Sequence, residues 1–66
     1  MITLHLRRIR QEKELSIRQL EKISGVSRSE ISAIENGRYL PNLEILNRLA
    51  NALELEPKDL YHWEKE

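Results

Sequence analysis

The sequence contains no cysteine, two glycines, two prolines and only three aromatic residues among its 66 positions. The absence of cysteine excludes a disulfide scaffold, and two histidines far apart in the chain do not have zinc-ligand spacing. Apolar residues make up 39% and never run beyond two in a row, which excludes a membrane span and a signal peptide. We therefore expect one small cytoplasmic domain over residues 1–66, whose core supplies only about 3–5 kcal/mol.

Net charge is also lacking, because eleven basic residues balance eleven acidic ones. The distribution along the chain is uneven, however. Residues 1–40 hold eight basic and five acidic residues, a net charge of +3, and residues 41–66 carry −3. A polyanion responds to local charge, since screening limits its reach to about 8–10 Å, so the first part of the chain can still attract nucleic acid.

Apolar spacing and capping residues predict a compact all-α fold of five helices and no strand. The expected ranges are about 4–13, 17–24, 28–35, 43–53 and 57–62. The first four helices are expected to begin after capping residues, namely Thr3, Ser16, Ser27 and Asn42. Gln19 and Glu30 lie three residues after the two serines and complete predicted capping boxes, and Pro57 fits the first turn of the fifth helix.

The second and third predicted helices are separated only by Gly25, Val26 and Ser27, which forces a steep crossing of the helix-turn-helix type. In the stretch SIRQLEKISGVSRSEISAIENG, followed by Pro41 and LNRLANAL, the chain resembles the Cro and phage-repressor-like helix-turn-helix family, also called the xenobiotic-response-element family. The resemblance runs from about Leu6 to Leu60. It implies a lambda-repressor-like domain that binds double-stranded DNA.

The outer face of the third helix has short, mostly uncharged side chains, which allow a helix to approach the floor of a DNA major groove closely. An ordinary solvent face made of small residues is the alternative. The resemblance implies base reading by four residues of this face: Arg28, Ser29, Ser32 and Ala33. Arg28 can donate two hydrogen bonds to guanine N7 and O6, or it can contact phosphate or remain a free surface arginine.

Phosphate contacts are expected on both sides of that helix. The candidates are Ser16, Ile17, Arg18, Lys22, Asn36, Gly37, Arg38 and Asn42. The resemblance implies an anion site formed by Ser16 and the first amides of the second helix, including that of Ile17, whose side chain replaces a glutamine common in relatives. Arg18 and Lys22 serve equally well as solubilising charges, and Gly37 serves equally well as a helix stop.

Arg10 and Glu35 each lie within an apolar stripe, so both are expected to be buried and to pair with each other, as the resemblance also implies. Besides Ile17, two further positions depart from the family pattern. Glu21 replaces a small residue at the close helix crossing, where it either turns outward toward a basic neighbour or widens the crossing. Glu54 replaces a glycine after the fourth helix and is strained if it takes a left-handed conformation.

Leu60, Tyr61 and Trp63 are expected to form a homodimer interface within residues 57–66, since aromatic residues are enriched at interfaces. Trp63 can instead pack on its own core. No phosphate loop, nucleophile elbow or metal-ligand spacing supports an enzyme, a cofactor, a metal or a small-molecule ligand. The sequence thus predicts a DNA-binding transcriptional regulator, foremost a repressor, that acts as a homodimer on an inverted repeat. The alternative is an antitoxin or adaptor that uses the same fold to bind protein.

Overall fold

Four α-helices and one short two-stranded sheet make up residues 1–65, the part of the chain described by this computed structural model. In chain order the elements are β1 (Ile2–Leu4), α1 (Leu6–Glu12), α2 (Ile17–Ser24), α3 (Arg28–Glu35), α4 (Leu43–Ala52), a 3-10 helix (Pro57–Leu60) and β2 (Tyr61–Trp63). The helical class is confirmed, and α2 and α3 have the predicted bounds. Glu66, at the end of the predicted 57–66 segment, lies outside the described residues.

The central helices begin as their capping residues predict. Ser16 and Gln19 form a complete capping box at the start of α2, with bonds of 3.0 Å and 2.7 Å. Asn42 Oδ1 accepts the backbone N–H of Ile45 and begins α4. At α3 the capping box is only half formed. Ser27 Oγ accepts a hydrogen bond from the backbone N–H of Glu30, but the Glu30 carboxylate accepts one from the Ser27 hydroxyl and not from the Ser27 backbone.

The two ends of the chain form a small antiparallel sheet that the sequence did not predict. Ile2 lies opposite Trp63 and Leu4 opposite Tyr61. The predicted first helix, 4–13, is therefore too long, and Thr3 lies in β1 instead of capping α1. The predicted fifth helix, 57–62, is likewise a four-residue 3-10 helix followed by a strand. Branched and aromatic side chains favour this pairing, but the partners lie at opposite ends of the sequence.

One hydrophobic core joins all of these helices. Its buried members are Leu6, Ile9, Leu20, Val26, Ile31, Ile34, Leu49, Ala50, Leu53 and Leu60. Leu60 is only 1% exposed, so its predicted place in a dimer interface is wrong. The 3-10 helix turns this side chain inward, and it packs against the helices of its own chain.

The turn between α2 and α3 fixes how the two helices cross. Gly25 takes the left-handed conformation, with φ of 76°, and the following Val26 is buried. This glycine ends α2 within one residue, which a side chain with a Cβ would resist. Glu54 after α4 also has a left-handed φ, 59°, so the strain considered for that position is present and costs about 1 kcal/mol.

Candidate nucleic-acid interface

The outer face of α3 is open to solvent. Arg28 and Ser29 are exposed, and Ser32 and Ala33 are half-buried. The opposite face carries Ile31 and Ile34, which are buried in the core and hold the helix in place. The four predicted base-reading residues therefore share one accessible face, and the short side chains of Ser29, Ser32 and Ala33 leave the helix backbone close to the surface.

The loop after α3 brings a fifth residue to this face. An open depression of about 510 Å³ is lined by Arg28, Ser29, Ser32, Ala33 and Arg38. We call these five residues the α3 surface. The loop can turn in this way because Gly37 takes a φ of 73°, and the space around its Cα is open. The depression places two cations around hydroxyl and methyl groups, a combination that suits a nucleic-acid groove.

Unpaired backbone donors lie at the start of α2, beside Ser16. The Ser16 hydroxyl oxygen and backbone N–H are both used in the capping box with Gln19. The structure gives the amides of Ile17 and Arg18 no hydrogen-bond partner within residues 1–65. An anion at this end of α2 can use these two donors, the O–H of Ser16, whose oxygen only accepts in the capping box, and the positive end of the helix dipole.

Two further cations on α2 are available for anions. Arg18 and Lys22 are exposed one helical turn apart. Within residues 1–65 neither has a carboxylate within ion-pair distance, in contrast to most of the arginines of the chain. Like charges at this spacing repel weakly, and a phosphate between them would remove that repulsion.

The two asparagines expected at phosphates already have roles within the fold. Asn36 Oδ1 accepts a hydrogen bond of 2.8 Å from Arg7, and Asn36 Nδ2 donates to Ser32 Oγ at 3.3 Å. Asn42 caps α4 through its side-chain oxygen, which leaves only its amide nitrogen for another partner. Both residues thus order the loop around Arg38, whatever else they contact.

A largely buried ion pair ties the end of α3 to α1, with the Arg10 side chain 12% exposed. Arg10 Nε donates to Glu35 Oε2 at 2.7 Å, Arg10 Nη2 reaches Glu35 Oε1 at 3.1 Å, and Arg10 Nη1 bonds the Leu15 carbonyl. The Glu35 side chain is only 1% exposed. Its hydrogen bond, with the attraction of its charge, raises the pKa of Arg10 above the usual value, against the opposing effect of burial. The expected pair is present, and Arg10 stays charged.

Sequence reasoning missed a third member of this cluster. Arg7 Nε lies 3.4 Å from Glu35 Oε1, while its Nη2 bonds Asn36. Arg7 and Arg10 are three residues apart and so share one face of α1, which is the signal that could have revealed it. Because Arg7 and Arg10 both meet Glu35, α1 holds the end of α3 and the loop that follows.

Glu21 turns outward to a basic neighbour, which is one of the two possibilities that the sequence left open. Its carboxylate accepts a hydrogen bond from the backbone N–H of Arg28 and lies 3.3 Å from Arg28 Nε. The carboxylate therefore lies at the first residue of α3, beside the α3 surface.

A second exposed surface is almost purely hydrophobic. A groove of about 440 Å³ is lined by Ile2, Leu4, Leu40, Pro41, Leu43, Leu46, Tyr61 and Trp63. We call these eight residues the apolar surface. Trp63 is 63% exposed, so it does not pack inside its own core, and Leu43 is 77% exposed. Sequence reasoning found only the two aromatic members, because the others come from β1, from the loop before α4 and from α4 itself.

Neither a metal site nor a membrane-spanning helix is found in the described part of the chain. Residues 1–65 contain no group of histidine and acidic side chains that could hold a metal ion. None of their helices has the length and hydrophobicity needed to cross a membrane.

Comparisons with known proteins agree with this geometry. A family model described as Helix-turn-helix matches residues 6–60. The chain is 45% identical over 47 residues to the ImmF control region 10 kDa protein of Bacillus phage phi105, covering 71% of this chain and 52% of that protein. It is 41% identical over 58 residues to the HTH-type transcriptional repressor RghR of Bacillus subtilis, covering 86% of this chain and 43% of RghR. The chain thus spans about half the length of these relatives, or less.

Two solved structures superpose on most of this chain. The restriction-modification controller protein C.AhdI from Aeromonas hydrophila superposes with a TM-score of 0.80 at 36% identity, over 83% of each chain. The clp gene regulator ClgR from Corynebacterium glutamicum superposes with a TM-score of 0.75 at 33% identity, over 82% of this chain and 57% of the other.

Proposed function

The chain belongs to the helix-turn-helix family of DNA-binding transcriptional regulators, and we propose that it recognises a particular double-stranded DNA sequence. It does so by binding, without catalysis, and it acts as a homodimer on an inverted repeat. The α3 surface enters the major groove, and α2 lies across the neighbouring backbone. We further propose that the bound protein represses transcription, as the name of RghR states for that relative.

One observation carries this proposal. The four candidate base readers and Arg38 line a single open depression, with the buried side of α3 anchored in the core. A helix seated in a groove needs a low outer face together with cations that meet the phosphates. The α3 surface has both features.

Each base reader has a chemical role. The Arg28 guanidinium donates to N7 and O6 of a guanine, which discriminates by about 1–3 kcal/mol against another base. Ser29 and Ser32 donate or accept with several bases and therefore specify weakly. Ala33 packs against a thymine methyl group.

Phosphates are bound on either side of α3. Arg38 contacts the backbone from the loop after the helix, together with Gly37, Asn36 and the amide of Asn42. At the start of α2 the amides of Ile17 and Arg18 and the Ser16 O–H bind other phosphates. The exposed side chains of Arg18 and Lys22 add two cations on the same helix. These contacts fix position and orientation but carry no sequence information.

A second copy of this chain covers the apolar surface. All eight lining residues are uncharged, although 33% of the chain is charged. In a two-fold interface each residue near the axis meets its own copy, so a surface without charge pairs with itself and suffers no repulsion. Tyr61 and Trp63 belong to this interface, and Ile2, Leu40 and Leu43 take the place of Leu60.

The position of this surface suits two half-sites. Leu40 and Pro41 belong to the same loop as Arg38, so the dimer contact continues directly from the DNA surface. The half-sites of such a dimer lie one DNA turn, about 34 Å, apart, which is on the scale of a molecule that measures 36 × 22 × 21 Å.

The test is selection of duplexes from a random DNA pool, followed by titration of the selected duplex against salt concentration. We expect a palindromic consensus and an affinity that falls steeply with salt, because each phosphate contact releases counterions. A protein-binding antitoxin or adaptor would enrich no sequence, and its partner affinity would respond little to salt. That outcome would overturn the proposal.

A further inference from the structure

Glu21, on α2, holds both the backbone and the side chain of Arg28. Its Oε2 accepts a hydrogen bond of 3.1 Å from the Arg28 backbone N–H, while its Oε1 lies 3.3 Å from Arg28 Nε. We propose that Glu21 is a positioning residue, which presets the Arg28 guanidinium for a guanine and so raises the sequence specificity of the α3 surface. This inference rests on the proposed function, because it concerns the same DNA contact.

The geometry leaves the reading end of the arginine available. Glu21 approaches the guanidinium on its Nε side. The guanidinium has five N–H donors, and the two terminal nitrogens carry four of them. Two of those donors suffice for guanine N7 and O6, so Arg28 can keep its contact with Glu21 while it reads a base.

The contact is poorly suited to stabilising the fold. The Arg28 and Glu21 side chains are 56% and 37% exposed, and solvent screens an ion pair at such a site. What the contact does limit is the freedom of a long side chain. An arginine that is already restrained loses less conformational entropy when it binds a base, and this favours the correct sequence.

The negative charge of Glu21 lowers the affinity for every duplex. The α3 surface carries two arginines, and Glu21 sets a carboxylate beside one of them. This carboxylate repels the phosphates of matched and mismatched DNA alike, whereas the preset Arg28 contact forms only where the guanine is present. Specificity is a difference between two affinities, so the contact that only the matched duplex makes is what raises it.

The experiment compares wild type, Glu21→Gln and Glu21→Ala on the selected duplex and on a duplex with the Arg28-dependent guanine replaced. Gln keeps an oxygen that can accept from the Arg28 backbone N–H, but it lacks the charge that holds the Arg28 guanidinium. Glu21→Gln therefore tests the side-chain contact while the cap at the start of α3 is kept. We expect Glu21→Gln to lower the ratio of the two affinities roughly threefold to tenfold, as is typical of coupled neighbours. Binding to the mismatched duplex should itself become tighter, because the carboxylate no longer repels the phosphates. In the Arg28→Ala background the same substitution should leave the ratio unchanged.

The matched control is Glu44→Gln, which removes a carboxylate from another exposed Arg–Glu pair, 2.9 Å from Arg48 on α4 and outside the α3 surface. It should leave the ratio at the wild-type value. Equal ratios for wild type, Glu21→Gln and Glu21→Ala would overturn this inference and leave the proposed function standing. A consensus that Arg28→Ala does not alter would also overturn it. If wild type selects no sequence at all, the proposed function fails first.

Discussion

The α3 surface and the apolar surface are both exposed, yet they differ in almost every other respect. The first has two arginines around hydroxyl and methyl groups, whereas the second has large aliphatic and aromatic side chains and no charge. Water satisfies the polar surface when nothing is bound, so its partner must replace those hydrogen bonds one by one. The apolar surface gains from leaving water altogether. The contrast favours reversible binding of DNA at the first and lasting contact with a second copy at the second.

The largest effect is expected from loss of the Arg10–Glu35 ion pair. This pair holds the end of α3 and the following loop, which contributes residues to both surfaces. Glu35→Ala leaves Arg10 buried without its partner, which should cost about 3–5 kcal/mol, comparable with the whole stability of so small a domain. Thermal unfolding followed by circular dichroism measures this loss. Glu30→Ala is the control, and its loss should be about 1 kcal/mol or less. Similar losses in the two variants would mean that the Arg10–Glu35 pair does not hold the fold together.

The second prediction changes the apolar surface and leaves the α3 surface as it is. Leu43→Asp places a charge in the proposed dimer contact and should produce monomers, with affinity for the complete inverted repeat reduced by about 2–3 kcal/mol. The fold should survive, because Leu43 is 77% exposed and begins α4, where a carboxylate is favourable.

Analytical ultracentrifugation measures this change in mass. Ile23→Asp is the control, since Ile23 is 53% exposed on α2 outside the apolar surface and should leave the dimer intact. A Leu43→Asp protein that remains dimeric would place the interface elsewhere.

The third prediction changes the α3 surface and leaves the apolar surface as it is. Arg28→Ala should lose about 1–3 kcal/mol of discrimination at one base pair of each half-site, because the bidentate contact to guanine is gone. Selection from a random pool with this variant measures the new preference, while sedimentation should still report a dimer. An unchanged consensus would remove Arg28 from the base-reading set.

The smallest expected effect concerns a residue at the rim of the α3 surface. Arg38→Ala should weaken binding to duplexes of every sequence by the same factor. It should also reduce the slope of log affinity against log salt by about 1 for each protomer, as the loss of one phosphate contact does. Titrations of matched and mismatched duplexes at several salt concentrations provide the measurement. A loss confined to one base position would make Arg38 a base reader instead.

Local signals in the sequence were enough to predict the centre of the fold. Ser16 with Gln19 and the glycine at position 25 fixed the bounds of α2, and the start of α3 followed from Ser27. The Arg10–Glu35 pair was predictable because a charge within an apolar stripe needs a partner.

Features that join distant parts of the chain were not predictable. The sheet pairs Ile2 with Trp63, and no local window contains both residues. Another such link lies next to that sheet, where the backbone N–H of His5 donates to the carbonyl of the buried Leu60 at 2.8 Å. The apolar surface escaped notice for the same reason, because β1, β2, the loop before α4 and α4 itself each contribute part of it.

Hydrogen bonds of the candidate site were also hidden from the sequence. Asn36 was expected only at a phosphate, yet its side chain bonds Arg7 and Ser32. Glu21 could be recognised as unusual for the family, but its contact with Arg28 depends on how α2 and α3 cross.

Mapping amide chemical shifts by NMR, during titration with the selected duplex, tests the central claim most directly. We expect the largest changes at Ser29, Ser32 and Ala33, with further changes at Gly37 and at the start of α2, and small changes at Trp63. Large shifts confined to the apolar surface, with the amides of α3 unmoved, would contradict the account.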